Sequence, residues 1–525
     1  GSRIIRGCGK PWAIKRAPTW SRVTRWRRWS DRLPDCINTM KNAEMRCESD
    51  VSIPTQAACL PGGIVRDKSI STAGVILFIA AHIPLALALR DLGVLARIHA
   101  WLAFGVGIWW AGTDRSGARV ASAAAYLACS EVMWRMTGSA QFWEFGKYAI
   151  TSVFLIGALR LTRARNWLLP GIYFILLIPS ALLTFWNLPF GDARGRVSFN
   201  LSGPLTLAGA ALFLIHKKFS ARQFQMIFLA CIGPTVSIVT LCLLNTLSGS
   251  VTFGSSSNIE TSGGFGPNQV SAILGFGGLA CVLFALDPTA KAVPRLGVLG
   301  IALVFVAQAT LTFSRTGLYL FGICAALAVA HFLRDRQTRL LACAGAVILY
   351  CGMSFLIFPL LDAYTEGALS QRYAKGDLTG RDQIVAADLK IALEHPLLGI
   401  GVGLAPEARA AFFKQKGAHT EFSRLFAEHG LTGLAALIVL LILSWKAYFA
   451  HREPRSKARS AALLAYSYLF MCVSGMRLAL PALAFGLAFA SLARKPDKHA
   501  RPVLPPRQRQ NGRGQGFPAA RKVLR

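Results

Sequence analysis

Acidic side chains are scarce in this chain: 25 Asp and Glu stand against 58 Lys and Arg in 525 residues, and charged residues of both signs make up only 16%. A soluble chain usually carries about 25%, so this composition excludes an ordinary water-soluble globule. The cysteines hold neither a disulfide framework nor a metal site. Of the twelve, Cys8, Cys36, Cys47 and Cys59 precede the first apolar run, and the others sit inside apolar runs, away from any oxidising loop. No CxxC or Cys/His ligand spacing occurs. No zinc-finger, helix-turn-helix or aromatic RNA-binding motif accompanies the +33 net charge, which excludes nucleic acid as a partner. The excess falls mainly in the termini and in short connections, where it sets topology and meets anionic membrane lipids. No short apolar stretch is followed by a small-residue cleavage site, so neither end reads as a cleavable signal peptide.

What the chain has is apolar length. Hydrophobic residues reach 53% and the mean hydropathy is +0.44. Roughly 20 residues of helix cross a bilayer core, and runs of that scale recur from Val75 to Leu492. In lipid every backbone polar group must be satisfied internally, and the runs are too long for barrel strands, so they are helices. The cores fall at 72–89, 94–112, 118–136, 147–161, 166–186, 199–216, 223–247, 268–286, 296–313, 316–333, 340–358, 431–449, 459–475 and 478–493. The third carries Glu131 and Arg135, an i,i+4 pair that can neutralise itself; the fourth is short. The chain thus reads as an all-α polytopic membrane protein with about 12–14 transmembrane helices and one large loop.

Its parts are a basic N-terminal segment (1–71), membrane helices (72–358), the loop (359–430), further membrane helices (431–493) and a basic, Pro-, Arg- and Gln-rich tail (494–525) without a fold of its own. The Arg/Trp-crowded residues 1–39 read as upstream sequence translated from a misplaced start, with Met40 or Met45 as the true one.

Lys and Arg alternate between connections. One set holds Arg115 and Arg119; Arg160, Arg163 and Arg165; Lys217, Lys218 and Arg222; Lys291 and Arg295; Arg334, Arg336 and Arg339; and the cluster from Lys446 to Arg459. The intervening set is poor in them, with none between Ser248 and Pro267. The positive-inside rule puts the first set and both termini in the cytoplasm and the 359–430 loop outside.

That loop is where water-facing chemistry can occur. It runs GRDQIVAADLKIALEHPLLGIGVG, then a short connector, then AHTEFSRLFAEHGLTG into the next span. His419 is its one histidine not accounted for by a turn, since His395 precedes Pro396 and His429 precedes Gly430. An imidazole titrates near neutrality and can take a proton from a hydroxyl; its competing role is to cap the helix that begins near Thr420. Glu428 and Arg424, four apart, form an ion pair that orients the segment, with Glu421 beside it. Outer-face arginines form a second constellation: Arg315 in LTFSRTG at the ends of two adjoining spans, Arg477 in SGMRLAL, and Arg194 and Arg196 in GDARGRVSF. Arginine is permanently charged and grips two phosphate oxygens at once, so such a set, with Arg381, can hold a diphosphate without metal; headgroup snorkelling is the alternative for any one of them. Two glycine-rich segments, 262–271 and 200–209, are expected to open spans and expose backbone N–H groups to an anion or a sugar hydroxyl. GIGVG (399–403) lacks the strand, the helix and the Lys-Ser/Thr of a phosphate-binding loop.

LTFSRTG followed by a span, then TGRDQIVAADLKIALEHPLLGIGVG, then AHTEFSRLFAEHGLTG entering another span, resembles the O-antigen ligase and polysaccharide polymerase family of bacterial envelope glycosyltransferases, over residues 190–445. The resemblance implies an inner-membrane enzyme that uses no metal or other cofactor and takes its donor glycan from undecaprenyl diphosphate on the periplasmic face. The acceptor would be another glycan, a lipid A-core or a protein. His419 matches the family's loop histidine and Arg315 its span-end arginine. Thr420 stands where the family often has Asn, which leaves ligase, polymerase and protein O-oligosaccharyltransferase unseparated. In the mechanism this implies, His419 is the base, and Arg315, helped by Arg194, Arg196 or Arg381, holds the diphosphate. The competing class is a flippase for lipid-linked oligosaccharides. It would place charges deep in its spans, and apart from Glu131 and Arg135 the spans here are nearly free of them.

Overall fold

Side-chain caps fix where several helices begin. Ser71 accepts from the Gly74 N–H at 3.0 Å and opens α1 (Thr72–Asp91). Ser220 and Gln223 form a reciprocal capping box at the start of a later helix. In the computed structural model the described residues are 70–139, 142–248, 251–254, 256–331, 339–340, 347, 350–374, 381–410 and 420–493, except the side chains of residues 165 and 381. All belong to the unit Asp67–Arg525.

After α1 come α2 (Gly93–Thr113), α3 (Ala118–Met136), α4 (Phe145–Leu161), α5 (Leu168–Ile175), α6 (Ile178–Asn187), α7 (Phe190–Leu214), α8 (Ala221–Leu247), α9 (Pro267–Ala285), α10 (Ala292–Leu311) and α11 (Arg315–Ala330). The loop region holds α12 (Phe358–Tyr364), α13 (Ala368–Ala374), α14 (Arg381–Glu394) and α15 (Ala405–Ala410); α16 (Glu421–Phe449), α17 (Pro454–Ser474) and α18 (Leu480–Leu487) follow. The protein is all-α and polytopic. Eight described stretches are long and apolar enough to cross a membrane: α1, α2, α5 with α6, α7, α8, α9, α10 and α16. The centre of the bundle is α8, with 83% of its most apolar stretch buried, against 22% for α1 and α2, which present their sides to lipid.

Several expected spans take a different form. α3 and α17 are long enough but carry charge; α4 and α11 are short, at 17 and 16 residues. The 166–186 span breaks at Leu176–Leu177 into α5 and α6, with Pro179 in the first turn of the second half. The 478–493 segment is the eight-residue α18 followed by a short strand, Ser491–Leu492 (β2), which pairs in parallel with Lys218–Phe219 (β1). Part of the 340–358 segment lies outside the described residues; Gly352–Ile357 is a π-helical turn.

The glycine-rich segment 200–209 does not open a helix. α7 begins ten residues earlier, at Phe190, so Gly203 and Pro204 lie inside it, and Arg194 and Arg196 stand on its first turns. Gly203 serves packing: a Cβ there would meet the Met476 Cβ at 2.5 Å. At the other segment the expectation of a helix start holds, with Gly266 as cap and Pro267 in the first turn of α9.

The two classes of connection separate onto opposite ends of the bundle. At the basic end the Arg160 guanidinium donates to the Ala111 carbonyl, Lys217 to the Leu161 carbonyl, and Gln225 to Thr289 Oγ1. There Arg459 stacks 3.7 Å from the Phe224 ring, and β1 pairs with β2. At the other end Tyr364 donates to the Thr246 carbonyl, Arg135 to Gln269 and Arg315 to the Arg372 carbonyl, so α12 and α13 lie over the ends of the spans. The Glu131–Arg135 pair is buried at 2.5 Å. It is more than a local helix pair, because Glu131 also accepts the Ala479 N–H at 2.8 Å. Lys147, read in sequence as the edge of a span, is fully buried near it, with Nζ 3.2 Å from Ser202 Oγ.

Candidate functional site

The first nine residues of α16 are amphipathic in charge: Glu421, Arg424 and Glu428 recur at i, i+3 and i+7 on one face, which turns into the bundle rather than toward solvent. Arg424 donates to both carboxylates, through Nε and Nη2 to Glu421 and through Nη1 to Glu428 at 2.6 Å. It also reaches Asn200 of α7 at 3.3 Å. Glu421 in turn accepts the Met476 N–H at 3.1 Å. One guanidinium and two carboxylates therefore tie α16, α7 and the turn after α17 together. The sequence reading anticipates the Arg424–Glu428 pair; the equal share of Glu421, and its hold on Met476, come only with the fold.

The helix kinks at Gly430, where φ is 56° and ψ −135°. The GIGVG segment fills the gap. Ile400 and Gly401 donate to the Ala427 and Glu428 carbonyls at 3.0 and 3.1 Å, and Leu431 donates to the Pro396 carbonyl at 2.8 Å. The second half of the broken helix completes this junction: Ser180 donates to the Glu428 carbonyl at 2.8 Å and Thr184 to the Val402 carbonyl at 3.1 Å. The Ser180 hydroxyl also lies 2.9 Å from Nδ1 of the buried His429. The segment's glycines serve backbone docking.

Beside this junction lies a cavity of about 340 Å³, walled by Arg196 and Asn200 from α7, Arg409 from α15, the cap residue Thr420 with Glu421, Arg424 and Glu428 of α16, and the Ser474–Arg477 turn. Arg196 spans its rim, donating to the Gly403 carbonyl at 2.9 Å and pairing with Glu407 at 2.7 Å. Arg477 is partly buried; loss of hydration lowers its pKa from the ordinary arginine value, and the negative charge of Glu421 opposes that shift.

Five of the sequence-derived site residues thus meet at one cavity: Arg196, Arg477, Glu421, Arg424 and Glu428. Arg194 is exposed and lines a neighbouring hollow with Trp143, Glu144 and Tyr148. Arg315 opens α11, as LTFSRTG suggests, but does not line the cavity; its Nη2 donates to the Arg372 carbonyl at 2.6 Å, and its guanidinium lies 5.9 Å from the Tyr373 ring. Arg381 begins α14, its side chain outside the described residues. His419 also lies outside them, but its neighbour Thr420 is on the cavity wall. Thr420 is the N-cap of α16, its hydroxyl accepting the Ser423 N–H. The capping duty considered for His419 therefore belongs to Thr420.

Sequence reasoning passes over Arg409 and Asn200. Arg409 is fully buried and bonded through Nη1 to Asp388 of α14, whose other oxygen accepts Ser423 Oγ at 2.6 Å. No local spacing announces a partner 21 residues away. Asn200 opens the glycine-rich segment that turns out to be helical.

Residues 300–438 match the family model described as O-antigen ligase. The match takes in Arg315, Arg381, Arg409, His419, Glu421, Arg424 and Glu428; Arg194, Arg196 and Arg477 lie beyond it. No curated protein matches the chain.

Proposed function

On the premise that residues 300–438 form an O-antigen ligase-family domain, we propose that this multi-pass membrane protein is a glycosyltransferase that moves a glycan from an undecaprenyl-diphosphate donor to an acceptor hydroxyl on the periplasmic face. The observation that carries this reading is the cavity in which Arg196, Arg424 and Arg477 meet Glu421 and Glu428, with Thr420, next to His419, on its wall. Such a site offers cations for an anionic donor, and Thr420 on its wall adjoins His419 in sequence.

In the proposed step the acceptor oxygen attacks the anomeric carbon as the bond from that carbon to the diphosphate oxygen breaks. The proton of the acceptor goes to His419, and the bonding electrons leave with the lipid diphosphate. Arg315, on the same end of the bundle, and Arg477 hold the diphosphate as it gains charge, with Arg194 and Arg381 assisting. Arg196 and Arg424 already serve Glu407, Glu421 and Glu428, so their work is to shape the cavity wall. Glu421 is fully engaged by Arg424 and Met476 and is not a proton acceptor here.

The test is glycan transfer in proteoliposomes supplied with a lipid-linked donor and a candidate acceptor. A new glycosidic bond is expected; movement of the lipid across the bilayer without one overturns the reading. Arg315→Lys keeps the charge but loses the planar fork, and is expected to impair transfer. Full activity in Arg315→Ala would remove the clamp.

A further inference from the structure

Arg409 has no exposed surface, and neither does its partner Asp388. A buried guanidinium stays charged only where its donors are met, and each donor left over costs free energy. Asp388 meets one nitrogen, Nη1. The other two, Nε and Nη2, are buried and have no hydrogen-bond partner among the described residues. These two nitrogens share one edge of the planar fork, the edge that takes both oxygens of a single carboxylate or phosphate group in parallel. Arg409 is also a wall residue of the cavity.

The surroundings favour an anion on that edge. Asp388 cannot turn to cover it, because its second oxygen is held by Ser423. Glu421 and Glu428, the acidic residues of the same wall, are committed to Arg424. Glu407, two residues before Arg409, is drawn the other way, to Arg196. Each of these carboxylates is occupied, and among the described residues none meets the Nε–Nη2 edge.

We propose that Arg409 is a substrate-binding residue whose Nε–Nη2 edge grips an anionic group carrying two oxygens. That group is either a carboxylate on an acidic sugar of the glycan or a phosphate of the lipid-linked donor. The assignment rests on the reading of the cavity as the place where substrate is held, and deepens it by giving the substrate a charge. Asp388 is then a positioning residue: it fixes the fork from behind so that the free edge faces the cavity.

The experiment measures thermal stabilisation of the full chain in lipid nanodiscs by two probes, glucuronate and inorganic diphosphate. A ligand that binds only the folded state raises the midpoint as its concentration passes Kd. At least one probe is expected to stabilise the unmodified protein. Arg409→Lys keeps a charge for Asp388 but has no such edge, and is expected to lose that response at least tenfold in apparent Kd. Loss toward glucuronate alone assigns a sugar carboxylate; loss toward diphosphate alone assigns the donor phosphate. If Arg409→Lys does not fold, the paired variant Arg409→Gln with Asp388→Asn, which buries no charge, is expected to fold and to be equally unresponsive. A purely structural Arg409 would leave the response of either variant unchanged, and that result overturns the proposal, as does silence of the unmodified protein toward both probes. Transfer is measured in parallel. Absence of transfer with the probe response intact defeats the proposed reaction and leaves the anion site standing.

Discussion

Gly399 and Gly430 press backbone on backbone: a Cβ on Gly430 would stand 2.7 Å from the Gly399 nitrogen and 2.4 Å from the Pro396 carbonyl oxygen. A Cβ on Gly399 would lie 2.3 Å from the carbonyl carbon of Glu428. Both residues have positive φ, 68° and 56°, where a side chain costs about 1–3 kcal/mol before any clash. Gly430→Ala is therefore expected to lower the thermal midpoint by several degrees and to reduce transfer, because the kink aims the first turns of α16 at the cavity. An alanine variant with an unchanged midpoint would show that the junction is loose.

The Glu421–Arg424–Glu428 triad makes a sharper energetic prediction. Arg424→Met leaves two carboxylates buried without their cation, and removing one partner of such a group costs about 3–5 kcal/mol. Thermal unfolding in detergent is expected to show that loss. Replacing all three, with Glu421→Gln and Glu428→Gln added, is expected to restore most of the stability, since no uncompensated charge remains. If the single variant is as stable as the parent, the triad is not the fastening described here.

Thr420 and His419 separate capping from chemistry. Thr420→Ala removes the cap and is expected to cost about 1 kcal/mol of stability with transfer largely retained. His419→Ala and His419→Asn are both expected to keep stability near that of the parent and to lose about 10²–10⁴-fold in rate. An active Asn variant would dismiss His419 as the base.

Sidedness is checked with reporters. One that works only in the periplasm is expected to be active when fused after Ala374 and silent when fused after Ala450. The reverse pattern would put the cavity in the cytoplasm.

The parts of this fold legible in the sequence are those set by local repetition. Apolar runs give the helices, the alternation of Lys and Arg gives the two unlike ends of the bundle, and four-residue spacing gives the Arg424–Glu428 pair. Arg315 stands at its span boundary because the Ser-Arg-Thr-Gly sequence leaves it nowhere else. The cavity itself is not legible, because its walls come from α7, α15, α16 and the 474–477 turn, brought together only by packing. Arg196 reads as a loop cation and proves to be a helical residue closing a rim. GIGVG is a run of positive-φ turns whose partner, the kink at Gly430, has no signature beyond the glycine itself. Lys147 is hidden by the apolar residues around it.

The pairing of β1 with β2 has a mechanical meaning. It joins the chain at 218–219 to the chain at 491–492 across the basic end, and Lys217 and Ser456 fasten it further through the Ser491 and Leu492 amides. A device that exposes its contents alternately to two compartments must unfasten both ends in turn. Here one end is sutured, while the other is covered by short helices joined through side chains and turns. An enzyme that works from one face needs no such release, and the pairing of β1 with β2 fits that one-sided use.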